Sequence, residues 1–253
     1  MIEPTFSEYA KSFEVFGKTA THFLPKDSFN FVETDFENLP KTDVYFLCNP
    51  NNPTGVWQQK EFIESLLNHI SVTKFLVIDE CFIDFVENSQ SVISLIEKYP
   101  NLIILRAFTK SYAIAGVRLG YLITSNVGIL SEIKAKLPPW NISTMAQEGG
   151  VVAIEKCSDL SQMRQIVKIE REYLIENLRK FNFKVFESST NFILFKCDFD
   201  LKTPLKKREI LIRDASNFYS FSEFTYRICV KLHDDNVKLI EIIKEIVECQ
   251  QNQ

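Results

Sequence analysis

The chain has 253 residues, 45% of them hydrophobic, with a formal net charge of −4. That is apolar material for one sizeable core or two modest ones, and the acidic balance gives no electrostatic footprint for nucleic acid. No run reaches the ~18 uninterrupted apolar residues of a membrane span, and the stretch from Met1 to Phe6 lacks the basic and apolar regions of a signal peptide.

In chain order, nearly continuous apolar runs at 44–48, 75–79, 102–106 and 119–123 suit strands buried on both faces, as in a parallel sheet. A helical pattern at 58–70, with Phe62, Leu66, Leu67 and Ile70 on one face, separates the first two, and another at 91–98 separates the next pair. Strand–helix–strand alternation predicts a right-handed α/β sheet. Ligands of such sheets collect at the carboxyl ends of the strands. Segment 49–55, Asp79 and Lys110 fall at or just beyond those ends. From 144 the pattern turns helical, at 145–156 and then 163–181, the latter carrying Ile166, Ile169, Tyr173, Leu174 and Leu178 at helical spacing. Strands are expected at 184–187, 191–196, 210–213 and 226–230. A closing helix follows, with Asp234 or Asp235 as N-cap and Val237, Leu239, Ile242, Ile243 and Ile246 apolar. The basic run at 202–208, next to acids, reads as a solvated loop. This divides the chain into a large domain at 1–143, connecting helices at 144–181 and a small domain at 182–253. Six scattered cysteines include no Cys-x-x-Cys, and three dispersed histidines make no metal site, so a reduced, cytoplasmic protein is expected.

Three segments carry chemistry. Residues 108–118 read Phe-Thr-Lys-Ser-Tyr-Ala-Ile-Ala-Gly-Val-Arg. A lysine that ends a buried strand, here Lys110, is placed to form a Schiff base, and an arginine nearby, here Arg118, suits a phosphate. Upstream lie Asn-Pro-Asn-Asn-Pro-Thr-Gly at 49–55 and Phe-Leu-Val-Ile-Asp-Glu at 75–80. The first alone reads as a proline turn. The second also describes a Walker B strand, but the chain has no Gly-x4-Gly-Lys-[Ser/Thr] to accompany it. In this order and spacing the three segments resemble the fold-type I pyridoxal-phosphate (PLP) enzymes of the class I/II aminotransferase superfamily, over nearly the whole chain.

The resemblance implies an α/β large domain with a mostly parallel sheet, a smaller α+β C-terminal domain, and PLP as cofactor. By the same resemblance Lys110 is the Schiff-base lysine, Asp79 pairs with the pyridine nitrogen, Asn52 donates to O3′, and Phe6 stacks on the ring. Thr109 and Arg118 would contact the phosphate. Phe82 stands where histidinol-phosphate aminotransferases have a tyrosine reaching O3′, and Ala107 where many relatives have a hydroxyl, so both clamps are thinner here. Arg227 matches the superfamily's α-carboxylate arginine, a bidentate fork. With Arg213 it suits a substrate bearing both a carboxylate and a phosphate. Glu80 reads as structural.

Four strings, at 79–85, 106–121, 138–142 and 210–218, look like the threonine-phosphate decarboxylase branch of cobalamin synthesis. The implied reaction is loss of CO2 from L-threonine O-3-phosphate to give aminopropanol phosphate, carried out by a homodimer. A histidinol-phosphate-type aminotransferase is the alternative. Family members carry a further segment ahead of Glu-Pro-Thr-Phe, with a helix whose backbone N–H groups bind the PLP phosphate and an aromatic residue given across the dimer. Residues 1–5 leave no room for it. The expectation is an N-terminally truncated large domain, with an inactive fragment or non-enzymatic remnant as the second alternative.

Overall fold

The computed structural model of the protein describes residues 1–27, 29–87 and 91–251. Strands β1 (Val44–Cys48), β2 (Phe75–Asp79), β3 (Leu102–Ala107) and β4 (Gly120–Ile123) form one sheet in that order. The first three pair in parallel, with Cys48 opposite Asp79 and Asp79 opposite Leu105. Their aliphatic runs are buried because helices and loops cover the sheet. Helix α2 (Lys60–His69), between β1 and β2, buries Ile63, Leu66 and Leu67. Each such side chain contributes ~1.5–3 kcal/mol of transfer free energy.

Two expectations for this sheet need correction. The run at 119–123 is a strand, but β4 pairs antiparallel to β3, with Ala107 opposite Gly120, and is exposed or half-buried. A parallel return needs a long crossover, usually helical. The link at 108–119 contains only a 3-10 turn, Ala115–Val117, so the chain doubles back. The helix expected at 91–98 is likewise a single 3-10 turn, Val92–Leu95. The Ser91 hydroxyl and Val92 N–H are tied to the Glu80 carboxylate at its start, and Pro100 disfavours helical backbone in Tyr99 at its end. Helices α1 (Glu8–Glu14) and α3 (Val127–Lys136) have no counterpart among the expected elements.

Helix α4 (Thr144–Lys156) starts at Ser143, whose hydroxyl accepts the Ala146 N–H at 3.2 Å. Helix α5 (Ser161–Lys180) buries Leu174, Ile175 and Leu178, whereas Ile166 and Ile169 are exposed. Its fully buried apolar residues therefore fall in the second half, with Val167 packing partly against the same core. A second, antiparallel sheet follows, ordered β5 (Lys184–Val185), β6 (Phe192–Lys196), β8 (Thr225–Cys229), β7 (Arg213–Asp214). The strand expected at 210–213 thus shrinks to two residues. The basic run folds as α6 (Lys202–Lys207), not a loop, because Asp200 accepts the N–H groups of Lys202 and Thr203 and Leu205 is fully buried. Helix α7 (His233–Gln251) begins two or three residues earlier than an N-cap at Asp234 or Asp235 implies, putting both in its first turn, where they complement the helix dipole.

Two hydrophobic cores result, one around the first sheet and one between α5, α7 and the second sheet. One contact between the two parts is at Gly55, whose carbonyl accepts the Ser189 N–H at 2.9 Å. Gly55 has φ +78°, and a Cβ there would lie 2.2 Å from the Ser188 hydroxyl oxygen. Only glycine permits that approach, which brings segment 49–55 against the entry to β6.

Candidate active site

Asp79 closes β2 with both carboxylate oxygens engaged. Oδ2 accepts from the Tyr9 hydroxyl and Oδ1 accepts the Cys81 N–H at 2.9 Å. Tyr9 lies in the first turn of α1, buried, with its ring 5.3 Å from that of Phe46 and edge-on to Phe6 at 5.6 Å. No motif points to Tyr9. The available signal is its spacing of one helical turn from Phe6. Burial, with Cys48 and Asp79 alongside, holds its phenol well above the ordinary 10.0, so Tyr9 is a proton donor to Asp79. Burial likewise pushes the Cys48 and Cys81 thiols up, and the Asp79 charge adds to it.

Asn52, just beyond β1, is buried and accepts a hydrogen bond through Oδ1 from Arg227 Nη1, joining the first sheet to β8. Arg227 also lies over the Phe192 ring, 5.0 Å from its centroid. Arg213 stands directly opposite Arg227 in the β7–β8 register, donating to Asn217 Oδ1 at 3.0 Å and lying over Phe218. Burial, and then the Arg213 charge, lowers the Arg227 pKa below the usual guanidinium range. Like charges facing each other across strands repel. An anion between them would turn that repulsion into attraction.

A cleft of about 590 Å³ brings these arginines together with Lys110, Phe82, Asn191 and Phe192. Lys110 leaves the turn after β3, is exposed, and holds its Nζ 5.7 Å from the Phe82 ring centroid. Asn191 and Phe192 fall inside an expected strand, where nothing marks them as cleft residues. Thr109 is buried next to Lys110. Phe6 keeps 40% of its surface exposed. Arg118 is exposed, in a left-handed conformation, and turns its guanidinium to the Ala115 carbonyl at 3.0 Å. Phe6, Asn52, Asp79, Thr109 and Arg118 lie outside the cleft wall. Glu80 is buried and accepts from Arg106, Ser91 and the Val92 N–H.

This donor set fits PLP. Each Asp79 oxygen retains a second lone pair for a protonated ring nitrogen, and Asn52, with its amide oxygen on Arg227, presents its amide nitrogen as a donor. Asn52, Asp79 and Lys110 lie at or just beyond three adjacent strand ends, the place where open α/β sheets hold ligands.

A family model described as aminotransferase class I and II matches residues 1–243. A histidinol-phosphate aminotransferase from Clostridium kluyveri is 35% identical over 254 residues, covering 98% of this chain and 70% of that protein. Among solved structures, histidinol-phosphate aminotransferase from Clostridium acetobutylicum superposes with a TM-score of 0.90 at 30% identity, covering 98% of this chain and 77% of that one. L-threonine-O-3-phosphate decarboxylase from Porphyromonas gingivalis gives a TM-score of 0.85 at 26% identity, covering 98% and 76%.

Proposed function

Because the chain belongs to the class I and II aminotransferase family, whose members depend on PLP, we propose that it transfers an amino group from a phosphorylated amino compound of the histidinol-phosphate type. The observation that carries this reading is the facing pair Arg213 and Arg227, set in the cleft that Lys110 also lines. Two guanidinium groups suit a phosphate monoester dianion, and the same pair suits the carboxylate of a second substrate. The relatives support transamination over the decarboxylation that the motif strings suggest, since the aminotransferases match at higher identity and higher TM-score than the decarboxylase.

When bound, PLP supplies an electron-poor ring that takes up the electron pair released at the substrate's α-carbon. Asp79 would keep a proton on the ring nitrogen, and Tyr9 would keep Asp79 oriented. Asn52 would donate to O3′ while its other end orients Arg227. Phe6 would cover the ring face, and Thr109 and Arg118 would hold the phosphate. Lys110 would hold the aldehyde and then move a proton at the substrate carbon.

L-threonine O-3-phosphate decarboxylation is the second reading, favoured by one feature. Phe82 puts an apolar ring beside Lys110 where a hydroxyl is expected of the aminotransferases. The exposed apolar side chains Trp140, Met145, Val151 and Val152 support assembly as a homodimer. The test supplies PLP with either histidinol phosphate plus a 2-oxo acid, or phosphothreonine alone. Amino transfer to the oxo acid is expected. Release of CO2 from phosphothreonine with no amino transfer would overturn the first reading in favour of the second.

A further inference from the structure

Lys110 stands in a turn, and turns are the least rigid parts of a fold, yet a reacting amine must be held to a fraction of an ångström. Its backbone is tied by only a few bonds. The Phe108 N–H reaches the Leu119 carbonyl at 3.1 Å, and the Lys110 carbonyl accepts the Ala113 N–H at 3.2 Å. A chain of side chains reaches the same turn from the strand ends. Glu80, directly after β2 and with no side-chain exposure, accepts from Arg106 Nε at 3.0 Å and from Nη2 at 2.9 Å. The Ser91 hydroxyl at 2.7 Å and the Val92 N–H at 2.9 Å complete its four partners. The guanidinium is thereby fixed, and its Nη1 lies 3.6 Å from Asp84 Oδ1. Asp84 Oδ2 in turn accepts from the Ser111 hydroxyl at 2.7 Å.

Ser111 is the residue after Lys110. A buried ion pair is weak evidence of stabilisation, because desolvation offsets most of the attraction. A fully satisfied buried network does, however, confer rigidity. Here that rigidity runs in one direction, from the sheet into the lysine turn.

We infer that Ser111 is a positioning residue, anchored through Asp84 to the Glu80–Arg106 pair so that the turn presents Lys110 to the cofactor. The inference deepens the proposed function and rests on Lys110 being the cofactor lysine. Asp84 serves as the bridge. It joins the charge of Arg106 on one oxygen to the hydroxyl of Ser111 on the other.

Amide hydrogen exchange at 109–113 tests the anchor without any cofactor, and the rate at which borohydride traps PLP on Lys110 tests its purpose. A hydrogen bond to a charged acceptor should shift both by roughly tenfold. Ser111→Ala should speed exchange and slow capture while leaving the melting temperature close to wild type. Ser111→Thr keeps the hydroxyl and should restore both rates. Asp84→Asn should loosen the turn as Ser111→Ala does, since it breaks the link to Arg106. Wild-type exchange and capture in Ser111→Ala would overturn the inference, and so would failure of threonine to rescue. Trapping of PLP at another lysine in the wild-type chain would overturn the functional reading instead, leaving exchange to decide whether the anchor exists.

Discussion

Replacing Arg213 by glutamine separates binding from folding. In the free protein Arg213 faces Arg227 across β7 and β8, and its own favourable contacts are a hydrogen bond to Asn217 and the face of Phe218. Removing the like charge relieves ~0.2–1 kcal/mol of cross-strand repulsion. Losing the exposed, solvent-screened guanidinium contacts with Asn217 and Phe218 costs about 0.5–1.5 kcal/mol. The two nearly cancel, so the stability of the ligand-free chain should change by less than about 1 kcal/mol. Binding has no such compensation. A charge-assisted hydrogen bond to a phosphate contributes ~1.5–3 kcal/mol, so affinity should fall roughly 10- to 100-fold. The assay is thermal unfolding of wild type and variant with increasing phosphothreonine or histidinol phosphate. At a ligand concentration of ~100 Kd, wild type gains about 2.7 kcal/mol. At that same concentration the variant should gain only about 0.4–1.4 kcal/mol. A variant that melts far below wild type yet keeps the full ligand-induced rise would show Arg213 to be structural and refute the anion-pair reasoning.

Two further outcomes follow from the buried cluster under the strand ends. Tyr9→Phe removes the hydroxyl that Asp79 accepts from while leaving the ring against Phe46. PLP affinity, read by titrating visible absorbance, should drop by about tenfold, and an unchanged affinity would show that Tyr9 does not orient Asp79. Cys48 and Cys81 have folded pKa values raised above their ordinary 9.0 by burial and then by Asp79. The native chain therefore keeps these protons where the unfolded chain releases them. Their stabilisation is complete below pH 9.0 and is lost as pH rises beyond it. Stability should fall between pH 8.5 and 10.5, by up to ~1.4 kcal/mol per pH unit for each thiol, read as a lower urea midpoint, and Cys48→Ala should flatten the decline. A midpoint that stays level across that range would contradict the burial of these thiols.

The parallel strands, and the segments at their ends proposed to carry the cofactor, are legible in the sequence because aliphatic runs and proline-rich turns are local signals. Direction is not local. The run at 119–123 has the composition of its neighbours, and only the absence of a crossover helix before it turns β4 antiparallel. The lysine, the aspartate and the asparagine can be read from their motifs, but not what holds them. The contact between Arg227 and Asn52 spans 175 positions, and that between Tyr9 and Asp79 spans 70. Ser111 and Asp84 are equally ordinary in their own segments and meet only because β2 and β3 end side by side. Helix α5 shows the opposite failure. Its periodicity is genuine, yet Ile166 and Ile169 stay exposed.

The proposed chemistry depends above all on Lys110 being the residue that takes the cofactor. Incubation of the full chain with PLP, reduction by borohydride and peptide mapping test this directly. The pyridoxyl group is predicted on the peptide containing Lys110, with Lys110→Ala abolishing both the label and the visible absorbance. Labelling of another lysine with Lys110 unmodified, or an undiminished signal in Lys110→Ala, would contradict it.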